Sequence, residues 1–432
     1  MRDRLHKRRL AAGIATGLIF ALTIIWLATT ENEAIWPVRN TLQYHLWSWW
    51  TARLPATNRG TPGALTGAVR NQQSQPVAGA WVLVAGRDGT TYTARSDAAG
   101  HYTIAEIPPG DYDPIAAAPG YETTRFGGLF GQVKIGAETQ TNADVTLRLE
   151  PVRPIPASRD LRLAESETLT CTRPLETRAV RRQVHFKTGD RPNQPIFYYT
   201  PTTLPTDRPL PMLLAVYPGP ADTWDCVSLP LAAAGYAVLA AGPAYSFDIE
   251  ADIDELEGLL AFVRAGQFPG GDGSRLAVLG GSYSAVLVQR LLQRDQDFQA
   301  AILLGPPTDL FDMRRRLEQG AFRPPFGLDQ ALIALGFPDR EPLRYGRYSG
   351  AYHVRADFPP IALLHSRSDE IVPYQQSELL ANNLAELDVP HEIHFFEGGS
   401  HYLLAEDGDA LEMYRLTLDF LAKHFNQLTT NN

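Results

Sequence analysis

Uninterrupted apolar runs constrain this chain more than any other feature. Leu276-Ala277-Val278-Leu279-Gly280 and Ile361-Ala362-Leu363-Leu364-His365 lack the polar alternation of a half-solvated strand, so they read as strands covered on both faces. Further strand segments are expected at 183–187, 196–200, 212–217, 237–241, 300–304 and 391–396. Helical spacing appears between them, at 248–265, 284–294, 374–387 and 407–425. This alternation argues an α/β fold over residues 180–428, with a mostly parallel central sheet and helices on both of its faces.

The first half reads differently. Residues 62–150 carry short segments (80–84, 92–95, 102–104, 145–149) between Gly, Pro, Asn and Asp clusters, the pattern of a small all-β sandwich. Residues 151–179 open with a proline-rich stretch and read as a stiff linker. At the N-terminus, residues 10–28 carry no charge, and nineteen residues at about 1.5 Å each span a hydrocarbon core of about 30 Å. Arg2, Arg4, Lys7, Arg8 and Arg9 precede that run, and Glu31 and Glu33 follow it. Residues 1–33 therefore read as a basic cytoplasmic tail and one transmembrane signal-anchor helix, with the rest of the chain extracytoplasmic. The run ends Trp26-Leu27-Ala28-Thr29-Thr30, which is a poor cleavage site. Gly13 and Gly17 form a GxxxG spacing, common enough in such helices to be read as chance. In the juxtamembrane segment 34–61, Val38, Leu42, Leu46, Trp49 and Trp50 recur near helical spacing, alongside Trp36 and Trp47. Two readings stay open there: a helix lying at the membrane interface, or a collar packed on the domain above.

Charge and cysteine content narrow the function. The net charge of −9 leaves no basic footprint for nucleic acid. Cys171 and Cys226 are the only cysteines among 432 residues, so there is neither zinc-ligand spacing nor a disulfide-dense scaffold. A Cys171–Cys226 disulfide and two free thiols both remain open.

The chemistry concentrates where the strand at 276–280 meets a helix through Gly280-Gly281-Ser282-Tyr283-Ser284. A sharp strand–turn–helix exposes a serine hydroxyl and aims helix N-terminal amides at a developing oxyanion. Ser282 is the expected nucleophile, and the Tyr283 N–H an oxyanion donor. Asp369, just past the apolar run 361–365, is the expected acid, with Glu370 as the alternative. His401, in a glycine-flanked loop after the last strand, is the expected base. The chain order Ser, Asp, His is that of α/β-hydrolases. A loop with Pro218 and Pro220, which have no N–H, follows the strand at 212–217, so only Tyr217, Gly219 or Ala221 can donate from it; the Tyr217 hydroxyl is also available. No metal or cofactor is called for.

With these residues on the page, 180–428 resembles the catalytic domain of prolyl oligopeptidase-family serine peptidases. The resemblance rests on Tyr217-Pro218-Gly219-Pro220, Ala234-Gly235-Tyr236-Ala237-Val238, Gly280-Gly281-Ser282-Tyr283, His365 with Asp369, Val372 and Pro373, and Gly399-Ser400-His401. It implies an α/β-hydrolase fold and an oxyanion role for the Tyr217 hydroxyl. Ser284 and Ser366 stand where the family has glycine, and no blade repeats of a β-propeller precede the domain. Peptidase chemistry is therefore the first expectation and ester hydrolysis the second. A catalytically silent surface-binding protein is a third reading, motivated by the two replaced glycines. The stretch 62–150 is similar to the carboxypeptidase regulatory-like, transthyretin-type domain, through Gly67–Val69, Pro76-Val77-Ala78-Gly79-Ala80, Ser96-Asp97, Gly100-His101-Tyr102, Pro108-Pro109-Gly110-Asp111-Tyr112 and Gly120-Tyr121. That likeness implies a non-catalytic module that spaces the enzyme from the membrane or binds a polysaccharide or protein.

Residues 306–357 interrupt the strand pattern and are expected to cap the site. Arg314, Arg315 and Arg316 there read as a solvated helix face or as a receiver for an acidic substrate group. His353, His391 and His394 read as surface residues, and His365 as packed beneath the acid loop.

Overall fold

The computed structural model describes residues 16–17, 21, 23, 26, 36–51, 60–127, 132–151, 161–186, 195–206, 208–242, 249–294, 297–321, 329–401 and 407–426. Nearly all of the basic tail and anchor helix expected over 1–33 lies outside them, as do Gly13 and the proline-rich start of the linker. Among the described residues no helix is long and apolar enough to cross a membrane. The first described helix is α1 (Trp36–Thr51).

The sandwich contains β1 (Gly63–Asn71), β2 (Trp81–Ala85), β3 (Thr91–Arg95), β4 (His101–Ile107), β5 (Gly110–Tyr112), β6 (Ile115–Ala117), β7 (Thr124–Arg125), β8 (Val133–Ile135), β9 (Gln140–Asn142) and β10 (Val145–Leu147). One sheet runs β10-β1-β4 with β9 also on β1, the other β3-β2-β6-β7, and β5 pairs with β8. Leu65, Val69, Val82, Val84, Ile104 and Leu147 fill the space between them.

Ten strands build the large sheet: β11 (Leu161–Leu163), β12 (Glu167–Cys171), β13 (Thr177–Phe186), β14 (Ile196–Pro201), β15 (Leu210–Val216), β16 (Ala237–Ala241), β17 (Gly271–Gly281), β18 (Ala300–Leu304), β19 (Ile361–Ser366) and β20 (His391–Phe396). Their order is β11-β13-β14-β16-β15-β17-β18-β19-β20, with β12 also on β13. From β16 to β20 every neighbouring pair is parallel, and β14 runs antiparallel to both its neighbours. This is the α/β-hydrolase arrangement. The apolar runs are covered on both sides, as their composition requires: Leu214, Val278, Leu303 and Leu363 pack on one face and Leu213, Ala277, Ile302 and Leu364 on the other. The helices are α2 (Asp225–Ala233), α3 (Ile249–Arg264), α4 (Tyr283–Arg294), α5 (Leu310–Glu318), α6 (Asp329–Ala334), α7 (Pro342–Arg347), α8 (Gln375–Glu386) and α9 (Asp407–Asn426).

Several expectations need correction. Part of the linker, 161–171, belongs to the hydrolase as edge strands β11 and β12, whose polar alternation suits a strand with one wet face. Cys171, at the end of β12, is bonded to Cys226 in α2, closing a 55-residue separation. By loop-closure entropy that link stabilises the fold by about 4 kcal/mol. Reduction, or a Cys171→Ser/Cys226→Ser variant, is expected to lower the midpoint of chemical unfolding accordingly; an unchanged midpoint would refute this.

The sandwich is not a loose spacer. The outer face of its β2–β6 sheet, Leu83, Ala85, Ile115 and Ala117, packs on Leu310, Phe311, Met313, Tyr345 and Tyr352. The described residues of 306–357 therefore form the seat of the sandwich, which is why they interrupt the strand pattern. Around this seam Arg87 pairs with Asp339 at 2.9 Å, Arg95 with Glu386 at 2.8 Å, and Arg290 with Glu150. Gly89, at φ +85°, brings the β2–β3 turn so near α5 that a Cβ would lie 2.5 Å from the Phe311 carbonyl oxygen. Arg314 is neither solvated nor turned toward a substrate: its side chain is fully buried, pairs with Glu318 at 2.9 Å and stacks over Tyr44. Arg315 and Arg316 pair with Asp312. His353 is buried at the seam, 3.0 Å from the Gly346 carbonyl oxygen, and desolvation pushes its imidazole down to about 4.

Candidate active site

The strand β17 ends in Gly280-Gly281, and α4 begins at Tyr283, so Ser282 alone makes the turn. It does so at φ +55°, a left-handed conformation that costs a residue with a Cβ roughly 1–2 kcal/mol. The surrounding hydrogen bonds impose it: the Ser282 N–H donates to the Leu304 carbonyl at 2.9 Å, and the Ala285 N–H donates to the Ser282 carbonyl at 3.0 Å. Strain held in this way is a mark of functional turns.

Asp369 and His401 reach the same place from β19 and the loop after β20. His401 Nδ1 lies 2.7 Å from Asp369 Oδ2, and both side chains are almost wholly buried. The other oxygen, Oδ1, accepts the Ile371 and Val372 amides at 2.8 and 2.7 Å. A second imidazole touches the same carboxylate: His365 Nε2 sits 3.1 Å from Oδ2 and 2.9 Å from the Val372 carbonyl, with Nδ1 2.7 Å from Ser377 Oγ. A carbonyl only accepts, so Nε2 carries a proton in His365. Burial alone would raise the Asp369 pKa, but the hydrogen bonds from His365 and His401 outweigh it and hold the carboxyl far below the usual range. Glu370, the alternative acid, instead accepts the His401 backbone N–H at 3.0 Å.

The two serines in glycine positions join these loops. Ser284 Oγ is fully buried and donates toward the carbonyls of Val216 at 2.5 Å and Gly281 at 2.8 Å, tying the turn to the end of β15. Ser366 Oγ donates toward the Gly398 and Gly399 carbonyls at 2.9 and 3.1 Å, tying the acid loop to the histidine loop. Gly305, at φ +49°, lies directly behind the pair; a Cβ there would meet Asp369 Oδ2 at 3.1 Å and His401 at 3.4 Å.

Ser282 and His401 line one pocket together with Tyr217, Pro218, Trp224, Val227, Leu279, Gly281, Leu304 and Met413. None of the described residues of 306–357 lines it, so the described part of that segment does not cap the site as expected; residues 322–328 lie outside the described residues. Tyr217 is buried, and its ring stacks on Trp224 with centroids 5.3 Å apart. Its backbone N–H is committed to the Ala241 carbonyl at 2.8 Å, which leaves only the hydroxyl for a ligand. That hydroxyl is 2.9 Å from Ser228 Oγ, and burial raises its pKa well above the phenol range. Tyr283 opens α4, where first-turn amides point out along the helix axis. Sequence reasoning placed Ser282, Asp369, His401 and Tyr217 in this region, but missed the bonds His365 and Ser228 make; the signal for His365 was its position one turn of chain before the acid. Among the described residues no His, Cys, Asp and Glu cluster could hold a metal.

The comparisons agree with this organisation. Residues 254–428 match the model of the prolyl oligopeptidase family, and residues 64–148 that of the carboxypeptidase regulatory-like domain. No curated protein matches the chain. Solved structures similar to it include a butyrate-bound esterase from the planctomycete Thermogutta terrifontis (18% identity, 55% of this chain and 91% of the other, TM-score 0.44). A sugar hydrolase from Lactococcus lactis (19%, 57% and 99%, TM-score 0.44) and an acylaminoacyl peptidase in complex with a chloromethyl ketone (16%, 80% and 61%, TM-score 0.47) are others. Residues 254–428 are a prolyl oligopeptidase-family domain preceded by a carboxypeptidase regulatory-like domain, and the chain is a serine hydrolase.

Proposed function

We propose that the chain is an acyl hydrolase working through a Ser282–His401–Asp369 triad. Ser282 Oγ attacks the acyl carbon while His401 takes its proton. His401 then gives that proton to the leaving group, and water clears the acyl-enzyme by the same steps. Asp369 fixes the imidazole tautomer that leaves Nε2 as the base. The Tyr283 N–H stabilises the oxyanion, joined by the Tyr217 hydroxyl: when Ser228 donates to the phenol oxygen, the phenol proton is left for the ligand. The observation that carries this reading is the 2.7 Å Asp369–His401 pair on a pocket it shares with a positive-φ serine.

The family makes peptide bonds the first substrate class. Carboxylic esters are the second, favoured by the pocket itself: its apolar walls suit a short acyl chain, and no carboxylate among the described lining residues is present to receive a peptide amino group. The sandwich acts in this reading as a docked support, and polysaccharide or protein binding is not needed to explain its apolar outer face, which the hydrolase covers. The uncharged run 10–28 supports a single-pass membrane anchor with an N-terminal cytoplasmic tail. An extracytoplasmic catalytic domain is supported by the Cys171–Cys226 disulfide, since such bonds persist mainly in oxidising compartments.

A fluorophosphonate probe tests the proposal. The full chain is expected to label stoichiometrically, with peptide mapping placing the adduct on Ser282; a folded chain that fails to label, or labels elsewhere, refutes it. A panel of short acyl esters and matched peptide amides then ranks the two substrate classes.

A further inference from the structure

The helix α1 has two unlike faces. One is fixed to the hydrolase. Asn40 Nδ2 donates to the Ala334 carbonyl at 2.9 Å, and Arg39 pairs with Glu341 at 2.7 Å. The rings of Tyr44 and Trp47 pack on Phe337 with centroids 6.0 and 5.1 Å apart. The other face points away from the protein and, apart from His45 at its edge, is apolar. Val38, Leu42, Leu46, Trp49 and Trp50 lie on it, exposed from 37% for Leu42 to 62% for Val38. At about 100° per residue these five positions fall within an arc of about 120°. Arg39 is the only charged residue in the helix, and it is buried against the protein. Arg39 falls inside the same arc, but its side chain turns back onto Glu341, so what the arc exposes is two tryptophans and three aliphatic side chains with no charge, unlike a face selected for water.

We propose that this face of α1 lies in the headgroup region of the bilayer, so that the helix fixes the height and tilt of the whole hydrolase over the membrane. The proposal rests on the membrane-anchor reading of residues 10–28. Only seven residues separate Ala28 from Trp36, so the chain can carry α1 no more than about 28 Å from the end of the apolar run. Tryptophan is at home at the membrane–water boundary, and an interfacial helix buries its apolar face there by about 5–10 Å. Because α1 is bound to the α6–α7 block on which the sandwich sits, its orientation passes to both domains. The structure thus joins the two sequence-based readings of this segment: one face is the collar, the other the interfacial helix.

Accessibility of a nitroxide tests it on the full chain. Both native cysteines are disulfide-bonded, so a single Leu46→Cys variant gives one labelling site. The protein is reconstituted into phosphatidylcholine–phosphatidylglycerol vesicles and floated on a density gradient. A Thr103→Cys variant, on the exposed side of β4, supplies the aqueous reference. The expected ratio of oxygen to nickel-chelate accessibility is several-fold higher at position 46 than at 103, and Leu42→Cys should repeat it. Protein that floats but shows equal ratios at 46 and 103 overturns the proposal while leaving the anchor intact. Spin–spin broadening at 46 overturns it in favour of a second copy of the chain. Protein that fails to float overturns the anchor and the proposal together.

Discussion

Ser282→Ala is expected to lower ester turnover by about 10^5–10^6-fold, and Asp369→Asn by about 10^4-fold. The first follows from the absence of a substitute. The hydroxyl of Ser284, two residues on, is fully buried and tied to two carbonyls, so it cannot reach an acyl carbon. The second follows from how the carboxylate is used. Oδ1 accepts two backbone amides, and Oδ2 faces the ring nitrogens of His401 and His365. An asparagine NH2 group placed on either side meets N–H donors. It must therefore open the acid loop or force His401 into the tautomer whose Nε2 bears the proton and cannot act as a base. The depressed pKa of Asp369 adds a sign. Its stabilisation is complete above its ordinary pKa of 3.8 and is lost only as pH falls below that, through the depressed folded value. A fall in activity at mildly acidic pH thus does not come from Asp369. Steady-state kinetics on a short ester, with melting curves to confirm folding, measure both effects. A folded Asp369→Asn enzyme within tenfold of wild type would contradict the assigned role.

The legibility of this chain followed burial. Strands inside the sheet were readable to the residue: 237–241 and 300–304 have the bounds their sequence implied. A strand covered on both faces has only apolar residues to offer, and the run ends where cover ends. Edge strands hid. Leu161–Leu163 and Glu167–Cys171 mix polar and apolar residues because one side is wet, and they passed for linker. The helix Asp225–Ala233 hid as well, being short and carrying Pro230. The residues of the proposed triad were legible through their turn and loop chemistry, and the support around them was not. Ser284 and Ser366 looked like departures from glycine, and only the fold shows that each hydroxyl joins two loops of the site. Arg314 shows the limit in another way. Three consecutive arginines read as a solvated face, yet one turn of helix sends the first into the protein, beneath Tyr44.

The union of the two domains leads to a second large effect. Trp81-Val82-Leu83-Val84-Ala85 is an unbroken apolar run within an otherwise alternating sandwich, and the structure covers both its faces. Val82 and Val84 point into the sandwich, Leu83 and Ala85 into the seam. Ile115, on the neighbouring strand, is fully buried in that seam against Gly346, where an added Cβ would fall 2.4 Å from its Cδ1. Ile115→Asp removes roughly 2–3 kcal/mol of apolar burial and adds a carboxylate with no partner, for a combined loss of about 5 kcal/mol or more. Leu83→Ala, which only leaves a cavity, is expected to lose about 2–4 kcal/mol. The consequence reaches the proposed catalytic acid. Ile371 and Val372, whose amides hold Asp369 Oδ1, belong to the same packed cluster as Ile115 and Leu83. Opening the seam should therefore lower turnover as well as stability, and the wild-type domains should melt in one transition. Calorimetry and ester hydrolysis on the same samples decide it. Two separate transitions, with the hydrolase transition and its activity untouched by Ile115→Asp, would mean that the sandwich only rests on the enzyme. A single transition that falls together with activity would make the sandwich a structural part of the acid loop, and truncation of residues 62–150 would then remove the support of Asp369 along with the domain.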